Sequence, residues 1–404
     1  MAHVYEKDTY LTPALKEVVL DDLDGSGYLK NNYLSLLVLA GSPYDHPPYS
    51  LSGDFIYVPY EWDYQNVYIE GLKFDAASTY YYLTKARKYL ENKFGFIQPD
   101  RVNVYMFEED VWPHSCYVNS FGNPPGSEIH LPVPGYPTAH GQPIEWNPNY
   151  YRGYSTILHE YFHIVFNKYK QDLQYVRIPG HPSEVIDEAL AIIWSTTVMD
   201  EPVYSADTNL PELGIPDLRV DIMYDPSGDL GNWIGALTSY LWDLRYTIGK
   251  DNFEQIVWKA MEYIPHAVDD YPMFKYSLHH ASVVLFGQEY SALIRRLYSA
   301  HGFIGTGYDS IVDFTISNTK GTPLDADIEI YRLSDGEFLY NIQSHPDTGE
   351  AKIAIDFDIE YRIRKDGYEA VGGEIFYGPP QVDVNVSIKK DIAKPRIYPH
   401  IIPR

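Results

Sequence analysis

His159, Glu160 and His163 stand in the spacing H-E-x-x-H, and the chemistry this spacing allows is metal binding coupled to proton transfer. In a helix, residues four apart lie one turn above each other on one face, so two imidazoles so placed can grip one zinc ion. Glu160 falls about 100° round the same helix, in reach of a water on that metal. Ile157, Leu158, Tyr161, Phe162, Ile164, Val165 and Phe166 leave almost no polar side, the pattern of a helix buried all round. Burying two imidazoles and a carboxylate there is costly unless a metal compensates. The other arrangement open to them is a pair of core histidines bonded to each other.

A third ligand decides between those arrangements. Pro179, Gly180, His181 and Pro182 punctuate a turn, after which Ser183 is placed to cap a second helix. Glu184 and Asp187 fall in its first turn, where the helix dipole favours anions. Val185, Ile186, Ala189, Leu190, Ile192, Ile193 and Trp194 make the rest apolar, and Glu188 lies inside that run. An unpaired carboxylate would be expensive there. As third ligand it completes a two-His, one-Glu set with a fourth position left for water. Glu184 is the second choice, with a dipole-stabilising surface role as its ordinary explanation. The expectation is one tightly bound zinc per chain.

These two segments, His159-Glu160-Tyr161-Phe162-His163 and Ser183-Glu184-Val185-Ile186-Asp187-Glu188-Ala189-Leu190-Ala191, resemble the gluzincin metallopeptidases, the thermolysin-like and fungalysin-like enzymes in particular. Asn119-Ser120-Phe121 followed by Ser127-Glu128-Ile129-His130-Leu131 is similar to the edge strand on which such enzymes lay a substrate backbone, which puts Asn119 in the place of their substrate-binding Asn. Tyr240-Leu241-Trp242-Asp243-Leu244-Arg245 with Gly249 is similar to the fungalysin-type helix after the zinc site. The resemblance implies a zinc-dependent peptidase in which His159, His163 and Glu188 hold the metal and Glu160 is the general base. Two positions depart from the pattern. Ile192 stands where the thermolysin type has an Asp that orients the first zinc His, and Gly228-Asp229-Leu230-Gly231-Asn232 contains no counterpart of the transition-state His. Tyr175 and Tyr224 are the tyrosines considered as its replacement. The departures motivate the competing expectation, a metal-stabilised surface or extracellular binding protein that keeps a peptidase fold without turnover.

Composition agrees with a large folded enzyme: 404 residues, 45% hydrophobic and 15% aromatic. A formal charge of -25 would repel nucleic acid, and the resemblance implies a peptide or protein substrate as the partner. Cys116 is the lone cysteine, which rules out an internal disulfide. The longest apolar run, Tyr33 to Ala40, is too short to span a bilayer. Met1-Ala2-His3-Val4-Tyr5-Glu6-Lys7 lacks the basic and apolar regions of a secretory signal, which leaves a cytosolic chain or one trimmed of its leader. Because the resembled families are mostly exported, the expectation is an extracellular or cell-surface protein. Asn385-Val386-Ser387 fits an N-glycosylation triplet.

The fold class expected is α+β, in three parts. Residues 1–49 contain Asp22-Leu23-Asp24-Gly25-Ser26-Gly27-Tyr28-Leu29, which has the oxygen spacing of a calcium loop and resembles half of a dockerin repeat. Asp22, Asp24 and Ser26 would be its Ca2+ donors, but Tyr33 stands where a bidentate carboxylate belongs, so a plain Asp/Gly turn is equally open. Residues 50–308 form the peptidase body, a mixed N-terminal lobe followed by a helical one. It opens with strands at Phe55–Val58 and Val102–Met106 around a helix from Asp75 to Gly95, and Asp251 with Glu254 begins a later helix in the manner of a capping box. From about Asp309 apolar residues alternate: Val312, Phe314 and Ile316; Ile328 and Ile330; Ile353, Ile355 and Phe357; Val382, Val384, Val386 and Ile388. Turn clusters between them, Gly372-Gly373 included, make residues 309–404 a small antiparallel β-sandwich, similar to the transthyretin-like regulatory domains of carboxypeptidases. Residues 1–308 are expected to fold without it.

Overall fold

The computed structural model describes residues 1–5, 15–38, 47–57, 69–108, 117–118, 128–132, 154–169, 182–202, 217–264, 271–303, 310–355, 357–376 and 381–390. Cys116, Asn119 and Tyr175 lie outside them. The described chain is α+β and packs into two units. The first comprises residues 1–218, 228–238 and 255–281, the second residues 219–227, 239–254 and 282–404. No helix among the described residues is long and apolar enough to cross a membrane.

In the first unit, β1 (Ala2–Tyr5) and β2 (Leu15–Val18) form a two-stranded antiparallel ribbon. A mixed sheet in the order β3-β4-β6-β5 is built from β3 (Leu34–Val38), β4 (Val102–Glu108), β5 (Tyr117–Val118) and β6 (Glu128–Pro132). The expected strand at Val102–Met106 is therefore present, as the sheet's second strand. At Phe55–Tyr57 there is no strand, only an isolated bridge from Phe55 to Ala2. Helix α1 (Ile69–Phe94) starts six residues before the expected Asp75 cap. Asp75 is instead buried within it, because Glu70, Leu72 and Lys73 are good helix formers and extend the helix past it. The predicted stop holds: Gly95 has φ +66° and its N–H reaches Glu91 O at 2.9 Å, the left-handed cap for which glycine carries no Cβ penalty.

The Asp22 loop docks onto α1. Arg87 gives its guanidinium to Asp22 Oδ2 and Glu91 Oε2, both at 2.6 Å, and Lys88 Nζ lies 3.3 Å from Asp22 Oδ1. Asp24 Oδ1 accepts the Ser26 N–H at 2.8 Å, closing an Asx turn. The first oxygen of the candidate calcium set therefore faces two protein cations, so the structure favours the plain turn. Further along, α2 (Tyr154–Tyr169) and α3 (Pro182–Met199) lie in the same unit. Pro182 takes the first position of α3, where its missing N–H costs nothing, and Ser183 is inside the helix rather than capping it. Asp200, at φ +57°, ends α3 in a Schellman motif, with Glu201 N–H to Thr196 O at 3.0 Å and Asp200 N–H to Thr197 O at 3.2 Å.

Helix α4 (Leu230–Ile248) is capped by Asp229, whose Oδ1 accepts the Asn232 N–H at 2.9 Å. Helix α5 (Lys250–Ala260) follows at once, starting from Gly249 at φ +81°, so Asp251 falls in its first turn and not at its cap. Helices α6 (Tyr271–Phe286) and α7 (Ser291–Ala300) complete the helices among the described residues. In the second unit, β7 (Ser310–Asn318), β10 (Glu350–Ile355) and β13 (Gln381–Ile388) form one sheet in the order β10-β7-β13. The other, in the order β12-β11-β8-β9, contains β8 (Asp327–Arg332), β9 (Phe338–Gln343), β11 (Ile359–Arg364) and β12 (Val371–Ile375). Phe314 of β7 meets Tyr361 of β11 edge-on, with centroids 5.4 Å apart.

Two details depart from an all-antiparallel sandwich read from the sequence. β13 runs parallel to β7 through eight residue pairs, a direction that alternation cannot reveal because its period is two either way. Gly372 and Gly373 lie within β12 and not in a turn. A Cβ on Gly373 would stand 2.7 Å from the Tyr361 hydroxyl, so the glycine gives the ring of β11 its space. Asn385 of the glycosylation triplet is exposed on β13.

The β strands are bonded to helices and to the segment before α4 in the same unit. Thr247 Oγ1 donates to Asn341 O at 2.9 Å, Lys352 N–H donates to Asp221 Oδ2 at 2.7 Å, Arg296 pairs with Glu337, and the Tyr246 hydroxyl donates to Asp327. Hydrogen bonds of this kind contribute about 1 kcal/mol each, and more when the partner is charged. This bonding revises the outcome expected of residues 1–308 alone. A chain ending at 308 is expected to lose its α4–α7 anchorage and melt at least 10 °C, on the order of several kcal/mol, below the full chain. Coincident melting curves for the two would show the β strands to be an independent appendage.

Candidate metal centre

Helix α2 is buried from Ser155 to Phe166 and α3 from Ser183 to Val198. They pack against each other, and α2 also meets α1 and β5. Stacked and edge-on rings fix the α3 side: Trp194 lies against Phe162 at 5.9 Å and Trp258 at 5.8 Å, while Phe94 stacks on Trp258 at 4.7 Å. On the far side of α2, the Tyr161 hydroxyl donates to Gln98 Oε1 at 2.9 Å, and Gln98 Nε2 is anchored on Tyr33 O and Asp100 O. The helix that carries the two histidines is thus fixed on both faces.

The arrangement places His159, His163 and Glu188 together. Their donor atoms converge with His159 Nε2 to His163 Nε2 at 2.9 Å, His159 Nε2 to Glu188 Oε2 at 3.0 Å and His163 Nε2 to Glu188 Oε2 at 3.6 Å. Ligands about 2.0–2.2 Å from a tetrahedral zinc stand about 3.3–3.6 Å from one another, so this triangle is that face contracted by a few tenths of an ångström. The three residues are 5–7% exposed. Together they form a buried group of ligating atoms able to hold one metal ion. Glu160, on the same helix, is buried with them, and so is Glu184 of α3.

The charges around the triangle explain why a cation suits it. Burial depresses His159, and the neighbouring His163 depresses it further, against the pull of Glu188. Burial also works against charge on His163, but Asp187 and Glu188 outweigh it and hold that imidazole well above its ordinary range. Glu188, which burial alone would raise, is held well below the usual carboxylate range by His163 and His159. The same carboxylates that favour a charged His163 would favour a metal ion among these atoms.

One residue of the centre escaped the sequence reading. Asp187 Oδ2 lies 3.0 Å from His163 Nδ1, the ring nitrogen facing away from the donor triangle. A carboxylate at that distance favours positive charge on the ring, and a small rotation of either side chain would make it the hydrogen-bond acceptor that supports a ligating imidazole. The signal was present, since Asp187 directly precedes Glu188, but the sequence put it in the helix's first turn, where the dipole explains it; in α3, which begins at Pro182, that turn holds Glu184 alone of the acidic residues. Ile192, fully buried, gives His159 no such support. Asp187→Asn is expected to weaken zinc binding by about 10- to 100-fold with the fold unchanged, read by competition with a chromophoric chelator. An unchanged affinity would show that Asp187 has no part in holding the ring.

Other expected site residues fare differently. Of the two segments likened to a substrate-binding edge strand, Glu128–Leu131 lies in β6, which pairs with β4 on one side and β5 on the other, while β5, directly before Asn119, is the edge strand of this sheet. The sequence could not show this, because β5 is two residues long and has no pattern of its own. Asn119, which follows β5, lies outside the described residues. Tyr224 stacks on Phe303 at 4.7 Å in the second unit.

No protein-family model and no curated protein matches the chain. Among solved structures it is similar to the Bacillus anthracis TIE protein, at 20% identity and a TM-score of 0.17 over 20% of this chain and 17% of that one. It is similar also to 3-chlorocatechol 1,2-dioxygenase from Rhodococcus opacus 1CP, at 10% identity and a TM-score of 0.17 over 21% of this chain and 61% of that one. Hydroxyquinol 1,2-dioxygenase from Pseudomonas putida DLL-E4 matches at 9% identity and a TM-score of 0.17 over 40% of this chain and 90% of its own. At that TM-score the three likenesses are too slight to assign a fold. The chain spans less than a fifth of the TIE protein and less than two thirds of the chlorocatechol enzyme.

Proposed function

We propose that this chain is a zinc-dependent peptidase in which His159, His163 and Glu188 hold the ion and Glu160 is the general base. The observation that carries the reading is the buried convergence of three donor atoms 2.9–3.6 Å apart, two from α2 and one from α3. Two imidazoles and one carboxylate suit zinc, and three protein ligands leave a position free for chemistry. Zinc held there supplies Lewis acidity toward a peptide carbonyl and toward the attacking water.

The chain's own residues do the rest. Glu160 takes a proton from the attacking water and delivers it to the leaving amine nitrogen as the C–N bond breaks. Asp187 holds the His163 ring in its ligating orientation. The substrate class is peptide or protein, and the setting extracellular or at the cell surface. Hydrolysis of casein or a quenched peptide by the zinc-loaded chain, abolished by a chelator and restored by zinc, is the expected result. Zinc held without turnover would favour the second reading, a metal-stabilised binding protein. A buried Ile192, at the position where the thermolysin type has an orienting Asp, is the observation on that side.

A further inference from the structure

We propose that Asp221, Asp243 and His301 form a second divalent-metal site, inside the second unit and independent of the first. Each offers a ligating atom, and these atoms all lie within 4.8 Å of one another. They come from three separate stretches: Asp221 from the segment before α4, Asp243 from α4 and His301 from just beyond α7. All three belong to the second unit. Asp243 and His301 are 3% and 1% exposed.

The hydrogen bonds around His301 decide what its inner nitrogen presents. Ile222 N–H donates to Ser239 Oγ at 3.3 Å, and the Ser239 hydroxyl donates back to Ile222 O at 3.3 Å. The serine's proton is thus committed, so at 3.2 Å Ser239 Oγ accepts from His301 Nδ1–H. A neutral His301 then carries a lone pair on Nε2, and that atom points at Asp243 Oδ2 from 2.9 Å. Asp221 adds a second carboxylate. Its Oδ2 is already occupied by Lys352 N–H at 2.7 Å, which sets its orientation.

The imidazole Nε2 and the two carboxyl groups therefore face one point. Three acceptors at such separations repel unless protons or a cation lie between them, and two carboxylates with one imidazole form a donor set that zinc and manganese accept. A bound ion would join the segment before α4 to α4 and α7, and through Lys352 to β10. No residue of the site belongs to the catalytic centre, so the proposal stands or falls apart from the peptidase reading.

The test loads the full chain with Zn2+ or Mn2+, removes excess by dialysis, and counts metal by elemental analysis. A His159→Ala/His163→Ala variant is expected to keep one equivalent of ion, and adding Asp243→Asn to remove it. If the double variant holds no metal, or if Asp243→Asn leaves its metal content unchanged, protons fill the space and the proposal is wrong. Should those variants fail to fold, anomalous scattering at the zinc edge from crystals of the zinc-loaded wild-type chain decides. A peak among Asp221, Asp243 and His301 is expected there, and its absence overturns the site.

Discussion

Glu160→Gln is expected to lose about 10,000-fold in peptide hydrolysis while the chain keeps its zinc at His159, His163 and Glu188. The glutamine amide is nearly isosteric with the carboxylate and adds no charge to α2, a helix buried through Phe166, so the packing against α3 has no reason to change. It cannot accept a proton. Losing a positioned general base costs about 100- to 10,000-fold in rate, and this carboxylate must also return the proton to the leaving nitrogen, which argues for the upper end. The measurement is kcat/KM on a quenched peptide beside zinc content on the same sample. Wild-type turnover by a zinc-loaded Glu160→Gln chain would sink the mechanism, and the binding-protein reading or another active site would take its place.

The donor triangle was legible because each of its parts is local. Four-residue spacing on one helix and a lone carboxylate in an apolar run on another are both visible in a linear sequence, and burial makes both conspicuous. Asp187 was half legible: its identity and neighbour could be read, but its partner His163 is 24 residues away on another helix. The calcium loop was left open in sequence, because Tyr33 stands where its last carboxylate belongs. The structure favours the plain turn because Arg87 and Lys88, on α1, reach Asp22 first, and no pattern near residue 22 shows that.

The same limit runs through the fold. Helices α2 to α4 announce themselves through apolar composition, caps and stops, whereas β5 is too short for any period to be seen. Alternation located β7, β8, β10 and β13 but not the direction of β13, nor the role of Gly372 and Gly373, since both depend on the strand that lies alongside. The Asp221, Asp243 and His301 cluster is the extreme case. Its members are separated by 22 and 58 residues and sit in no motif, so only the folded chain shows that they meet.

Glu188→Gln is expected to do what Glu160→Gln does not, and release the zinc. The carboxylate is the single anionic ligand of the triangle, and its Oε2 lies 3.0 Å from His159 Nε2 and 3.6 Å from His163 Nε2. An amide oxygen at that place carries no net charge. Since even a supporting partner outside the ligand set contributes about 10- to 100-fold to affinity, loss of the charged ligand itself should exceed 100-fold. Stability follows affinity, because an ion bound only by the folded chain stabilises it by about 4 kcal/mol when present at a thousand times its dissociation constant. Chelation of the wild type is therefore expected to lower the melting temperature of the first unit by on the order of 10 °C, and zinc to restore it. Glu188→Gln should melt at the chelated value and show little response to zinc. If it melts with the wild type and retains its ion, then Glu188 is no ligand, and Glu184, one turn earlier on the same buried helix, becomes the residue to replace.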